Sequence, residues 1–175
     1  APGSVFEVAF KAAMQDAGLA VDSAQLVVVP ITEQVPAVLS GSVDAVVLTE
    51  PFTTIGKAQG LKVIAGDLFG GRVAEGSSGG YMAFAPWAAQ NVDVILRARA
   101  AWAEVAQLLN DNEEAYRSYL PTFTALTPEL AAVIALGEYR LTTEVANIQP
   151  SIDLTAAVGV IPEAVDVTPF VIAPD

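Results

Sequence analysis

The sequence contains neither cysteine nor histidine. Without a thiolate or an imidazole, thiol chemistry, Ser-His-Asp catalysis and ordinary zinc sites are excluded. Oxygen ligands alone would still suit calcium or magnesium, but the D-x-N-x-D-G loop spacing occurs nowhere. The acidic residues do not cluster at ligand spacing, so neither a metal nor a cofactor is expected. Missing cysteine leaves the compartment open, because disulfides are optional outside the cytoplasm. Basic residues are few, 8 against 20 acidic, for a net charge of −12. No basic stripe exists to neutralise phosphates, so nucleic acid is not an expected partner. The same charge repels anions at long range, and an anion site would have to be built locally. No uncharged apolar run reaches the roughly 18 residues of a membrane span.

What is there is apolar. Of 175 residues, 53% are hydrophobic, enough for one core or for two small lobes. Phe6, Phe10, Ala13, Met14 and Ala17 follow a 3.6-residue period and predict a helix over 4–18. Ser4 and Glu7 stand at capping-box spacing at its start, and Gly18 ends it. Ala24 to Pro30 is a β-branched run closed by proline and predicts a strand. A second helix is expected to begin near Glu33 or Gln34 and to stop at Ser40-Gly41, with Pro36 tolerable only near its first turn. Strands are expected again at Asp44–Leu48 and Leu61–Ala65, with a short helix from Pro51 to Lys57 between them. This alternation is an α/β rhythm.

The texture then changes. Residues 70–80 carry five glycines and little to bury, as a mobile or a ligand-facing loop does. Tyr81–Ala85 reads as a strand. A long helix over 93–110 would bury Val94, Ala98, Trp102, Val105 and Leu109. A further helix runs through Tyr119, with Asp111 and Glu114 as caps. Thr127-Pro128 opens another, to about Leu136, and 151–160 gives one more. Trp87 and Trp102 read as packing aromatics. The boundary between an α/β half and a helical half falls near residues 70–80, giving units 1–75 and 76–175.

Several motifs converge. Pro2-Gly3-Ser4 leads a capped helix ending Ala17-Gly18-Leu19; Val38 to Ala45, Thr49-Glu50-Pro51 and the Gly60–Ala65 run follow. Later come Ala83 to Ile95, Asn110 to Ala115, and Val158 to Thr168. In order and spacing the chain resembles the extracytoplasmic solute-binding proteins of ABC importers, in the sulfonate, nitrate and thiamine-precursor group. The resemblance touches nearly the whole chain. It implies a type II periplasmic-binding-protein-like fold, with three-layer α/β sandwich lobes closing on a ligand. The family's earlier residues have no counterpart here. Residues 1–75 then match a second lobe lacking its first strand, and 76–175 the returning part of the first lobe. A companion N-terminal fragment, cut off or supplied by another chain, is therefore expected, with a minimal, rearranged fold as the alternative.

The resemblance also implies a periplasmic or cell-surface lipoprotein location and delivery of solute to an ABC permease. The solute would be a small organic or inorganic anion, or a thiamine-precursor-like molecule. Gly3, Ser4 and Val5 are the first candidate contacts, since a helix N-terminus offers unbonded amides and the positive end of the dipole. Capping alone explains Ser4 equally well. Glu50, with Thr49 beside it, follows an apolar strand, where open α/β sheets bind ligands, and would pair with an amine or ring N–H. A surface carboxylate ending a strand is the plain alternative. Gly80 and Tyr81 would form hinge or cleft wall. Two other classes stand beside this non-catalytic reading. One is a structural or protein-interaction module without a small ligand. The other is a carboxylate hydrolase, which needs two facing acids where only Glu50 is placed.

Overall fold

The computed structural model describes residues 2–66, 70–74, 76–77, 79–124, 126–142 and 144–172. Ala1, and residues 75 and 78 of the glycine-rich loop, lie outside them. Eight α-helices are present among these residues: α1 (Val5–Asp16), α2 (Ile31–Leu39), α3 (Phe52–Ala58), α4 (Ala85–Gln90), α5 (Val92–Asp111), α6 (Glu113–Tyr119), α7 (Pro128–Ala131) and α8 (Val145–Ala157). None is long and apolar enough to cross a membrane.

The α/β sandwich expectation is overturned, because no described residue belongs to a strand or a sheet. The runs at 25–30, 45–49, 61–63 and 79–84 carry no regular hydrogen-bonded structure. Their β-branched and aromatic content favours an extended chain, but a strand is completed only by a neighbour that takes its amides and carbonyls. No described residue of these runs is paired in a ladder. The backbone therefore stays extended, as at Ala24 (φ −114°, ψ 134°), without a ladder.

The chain divides into two units, each assembled from separated stretches. The first comprises Ala1–Val28, Ala65–Leu96 and Thr142–Asp175; the second comprises Val29–Ile64 and Arg97–Leu141. In the first, Val8, Ala9 and Ala12 of α1 pack with Val73, Leu154 and Val158. The buried face of α1 is thus the alanine-rich one, not the expected Phe6–Phe10–Met14 stripe, whose residues are only half-buried. Small side chains let α1 approach its neighbours closely, and the close face becomes the core. Arg72 fastens the far end of α1 by donating from Nη2 to the Ala12 carbonyl (3.2 Å) and to Asp16 Oδ1 (2.7 Å). A cation there also complements the negative end of the helix dipole.

In the second unit, Tyr116, Leu120, Leu126, Ala131 and Ile134 form the core, with Leu109 and Tyr139 against it. Of the α5 residues in this unit, Arg99, Trp102, Ala103, Ala106 and Leu109 are buried or half-buried, while the expected Ala98 and Val105 face outward, as does Val94 in the first unit. Trp102 meets Tyr139 edge-to-face at 5.4 Å and donates from its indole to the Arg140 carbonyl. Trp87, by contrast, is exposed. Asn110 clasps Tyr139 through both its amide (3.0 Å) and its carbonyl (2.7 Å). Burial, and then its hydrogen bond with Tyr139, pushes the Tyr116 phenol well above its usual pKa. Asn112, not Asp111 or Glu114, caps α6 by accepting from the Ala115 amide at 2.9 Å.

Helix α7 stops at Ala131, short of the expected Leu136. Arg117 explains the stop, because its Nη1 donates to the Ala131 (2.8 Å) and Ile134 (3.0 Å) carbonyls. The Ala135 amide, which would have bonded to Ala131, turns to Glu50 Oε1 at 3.5 Å instead. Pro36 sits at the sixth position of α2 rather than in its first turn. A proline there removes one intrahelical bond, and buried Val35 holds α2 down regardless.

Candidate functional site

A recess of about 120 Å³ opens at the N-terminus of α1. Gly3, Val5 and Val8 line one side and Val73 another. Ser77 and the α8 residues Ser151, Leu154 and Thr155 complete it. All of these residues belong to the first unit. Gly76 makes the approach of its loop to α8 possible, since a Cβ there would lie 2.8 Å from the Ser151 backbone nitrogen and 2.0 Å from its Oγ.

The capping box forms at this mouth. Ser4 is the N-cap, extended at φ −85° and ψ 159°, and its Oγ accepts from the Glu7 amide at 3.4 Å. Glu7 Oε2 reaches back one residue further than the simple box, to the Gly3 amide at 2.7 Å. Gly3 makes this possible by adopting φ +76°, in the left-handed region that costs glycine nothing. Lys11, 2.8 Å from Glu7 Oε1, and then the Gly3 amide hold the Glu7 carboxyl below its usual pKa. A carboxylate therefore already occupies the positive end of α1, and it opposes a second anion there.

The hydroxyl chemistry is equally specific. Ser151 Oγ is 2.9 Å from the Ser77 carbonyl, Thr155 Oγ1 is 2.6 Å from the Ser151 carbonyl, and Ser77 Oγ is 2.8 Å from the Gly79 carbonyl. A carbonyl can only accept, so all three hydroxyls donate within the chain. What they retain is acceptor capacity. The recess thus offers oxygen lone pairs between apolar walls, which suits a ligand bearing N–H or O–H donors.

The other expected residues lie elsewhere. Thr49 and Glu50 belong to the second unit. Glu50 accepts from the Thr54 amide and the Thr54 hydroxyl, both at 3.0 Å, as well as from Ala135. Buried Thr54 makes this a cap for α3, and the Thr49 carbonyl accepts from the Thr53 amide in the same turn. Gly80 and Tyr81 are exposed and do not line the recess. The sequence reading passed over Ser151 and Thr155, although their i, i+4 spacing on one helix face was visible. A wider groove of about 690 Å³ in the second unit runs past Glu113, Arg117, Pro121 and Pro128. It is open, and its one cation is committed to Glu113 and to two carbonyls.

Comparison with protein-family models, with curated proteins and with solved structures gave no match for this chain.

Proposed function

We propose that this chain is a non-catalytic binding protein that takes a small polar solute at the recess beside α1 and passes it to the permease of an ABC importer, outside the cytoplasm. The resemblance of its motifs to solute-binding proteins motivates the transport role. One observation supports the site: three serine and threonine residues line one recess, and their hydroxyl protons are already committed. The solute then supplies the donors. Among the solutes the resemblance implies, an aminopyrimidine of the thiamine-precursor kind satisfies this chemistry better than nitrate or a sulfonate. Ionised Glu7 works in the same direction. At about 120 Å³ the recess matches a solute the size of a single small ring.

A melting series with 4-aminopyrimidine, methanesulfonate and nitrate tests this reading. The aminopyrimidine should raise Tm, by the equivalent of about 2.7 kcal/mol at a hundred times its Kd. The two anions should not. Thr155→Val, which keeps the shape and removes an acceptor, should weaken the shift at least several-fold. No shift with any of the three, or an aminopyrimidine shift indifferent to Thr155→Val, would overturn it. Glu50 being spent on a helix cap favours the second reading, a protein-interaction module without a small ligand.

A further inference from the structure

Cations are scarce around the recess. Lys11 and Arg72 are the only basic residues in the three stretches of the first unit. Arg72 is spent at the far end of α1, on Asp16 and the Ala12 carbonyl. Lys11 is spent on Glu7, with Nζ 2.8 Å from Oε1 and both side chains only 18% exposed. Among the described residues the Lys11 ammonium has no second acceptor. The elements packed against α1 bring three other charged groups, Asp22, Arg72 and Asp153, and Asp153 is engaged by Gln149.

Neither Lys11 nor Glu7 lines the recess, but Gly3 does. Among the described residues Gly3 makes one hydrogen bond, from its amide to Glu7 Oε2 at 2.7 Å. Gly3 lies outside α1, near an end of the chain, and glycine is the residue with most backbone freedom to lose. Its turn at φ +76° is therefore held by Glu7. A glutamate side chain left alone samples several rotamers. A lysine four residues further along the helix selects among them, and Glu before Lys is the favourable order for such a pair. With Oε1 held by the ammonium, Oε2 is left facing Gly3.

We propose that Lys11 is a positioning residue for the recess: from outside it orients Glu7, Glu7 pins the turn at Gly3, and that turn sets the wall and with it the affinity for solute. The inference rests on the reading of the recess as the solute site.

Lys11→Met keeps the aliphatic stem and a good helix former, so helical circular dichroism should be unchanged. In amide spectra of the labelled full chain, the Gly3 signal should follow the titration of Glu7, because protonation weakens the bond between them. Lys11 lowers the Glu7 pKa, so Lys11→Met should move that midpoint up, toward the ordinary carboxylate value. Lys11→Arg should bring it back. The Kd for 4-aminopyrimidine should weaken several-fold in Lys11→Met and recover in Lys11→Arg. In a Glu7→Gln background the side-chain oxygen still accepts from Gly3 but no longer needs the ammonium. There Lys11→Met should add nothing, as expected of two residues acting in series.

A Gly3 midpoint indifferent to Lys11→Met overturns the proposal. So does a Kd that Lys11→Met leaves unchanged, or weakens equally in both backgrounds. A wild-type chain that binds no aminopyrimidine overturns the solute reading instead. The Gly3 midpoint needs no solute, and it then decides alone whether Lys11 positions this wall.

Discussion

Replacing Arg117 by methionine should destabilise the second unit by about 2–4 kcal/mol, because two carbonyls lose a charged donor and no other group reaches them. The guanidinium holds the ends of two short turns at once, at Ala131 and Ile134. Methionine keeps much of the apolar stem, so lost packing contributes little. Little of the loss is expected to come from the ion pair with Glu113, whose side chain is largely exposed. The two tryptophans make the measurement local, since Trp102 belongs to the second unit and Trp87 to the first. In a Trp87→Phe background, urea unfolding followed by Trp102 fluorescence should show the midpoint falling. A change below about 0.5 kcal/mol, the range of ordinary surface substitutions, would mean that Arg117 does not hold this unit together.

Leu154→Ala should cost the first unit about 2–5 kcal/mol, the usual range for truncating a buried leucine. Leu154 is buried on α8 against α1 and Val73, and it also lines the recess. The core around it consists of valines and alanines with no large side chain fully buried, so little can move in to fill the gap. Urea unfolding followed through Trp87 in a Trp102→Phe background should report the loss, while Trp102 in the reciprocal background should not. Equal effects on both would show that the units unfold as one.

The helices were largely legible because their signals are local. Ser4 with Glu7, and Thr127 with Pro128, mark helix starts through contacts three residues away, and such contacts form whatever the rest of the chain does. The extended runs were legible only as extended. Gln25–Val28 and Tyr81–Phe84 carry the residues of strands, but a sheet depends on a partner segment, and no local pattern specifies one. The stripe of α1 was misread for a related reason. Periodicity fixes how often a face recurs, and here close approach through Ala9 and Ala12 decided which face is buried.

The site was half legible. Gly3 and Val5 follow from the capped helix start, whereas Ser77, Ser151 and Thr155 reach it only through the fold of residues about seventy positions apart. Glu50 stands out in the sequence for its place after an apolar run and before a proline, and the same place, just ahead of α3, makes it a cap for that helix. The two readings predict the same residue pattern. They differ in what the carboxylate touches, and here it touches Thr54 and Ala135 of its own unit.

The most direct test of the account is a two-dimensional amide spectrum of the isotopically labelled chain, titrated with 4-aminopyrimidine. Solute held between α1 and α8 should move the amides of Gly3, Val5, Ser77, Ser151 and Thr155 together, along one saturating curve. Shifts confined to Thr49, Glu50 and Thr54, or no saturating shift at all, would contradict it.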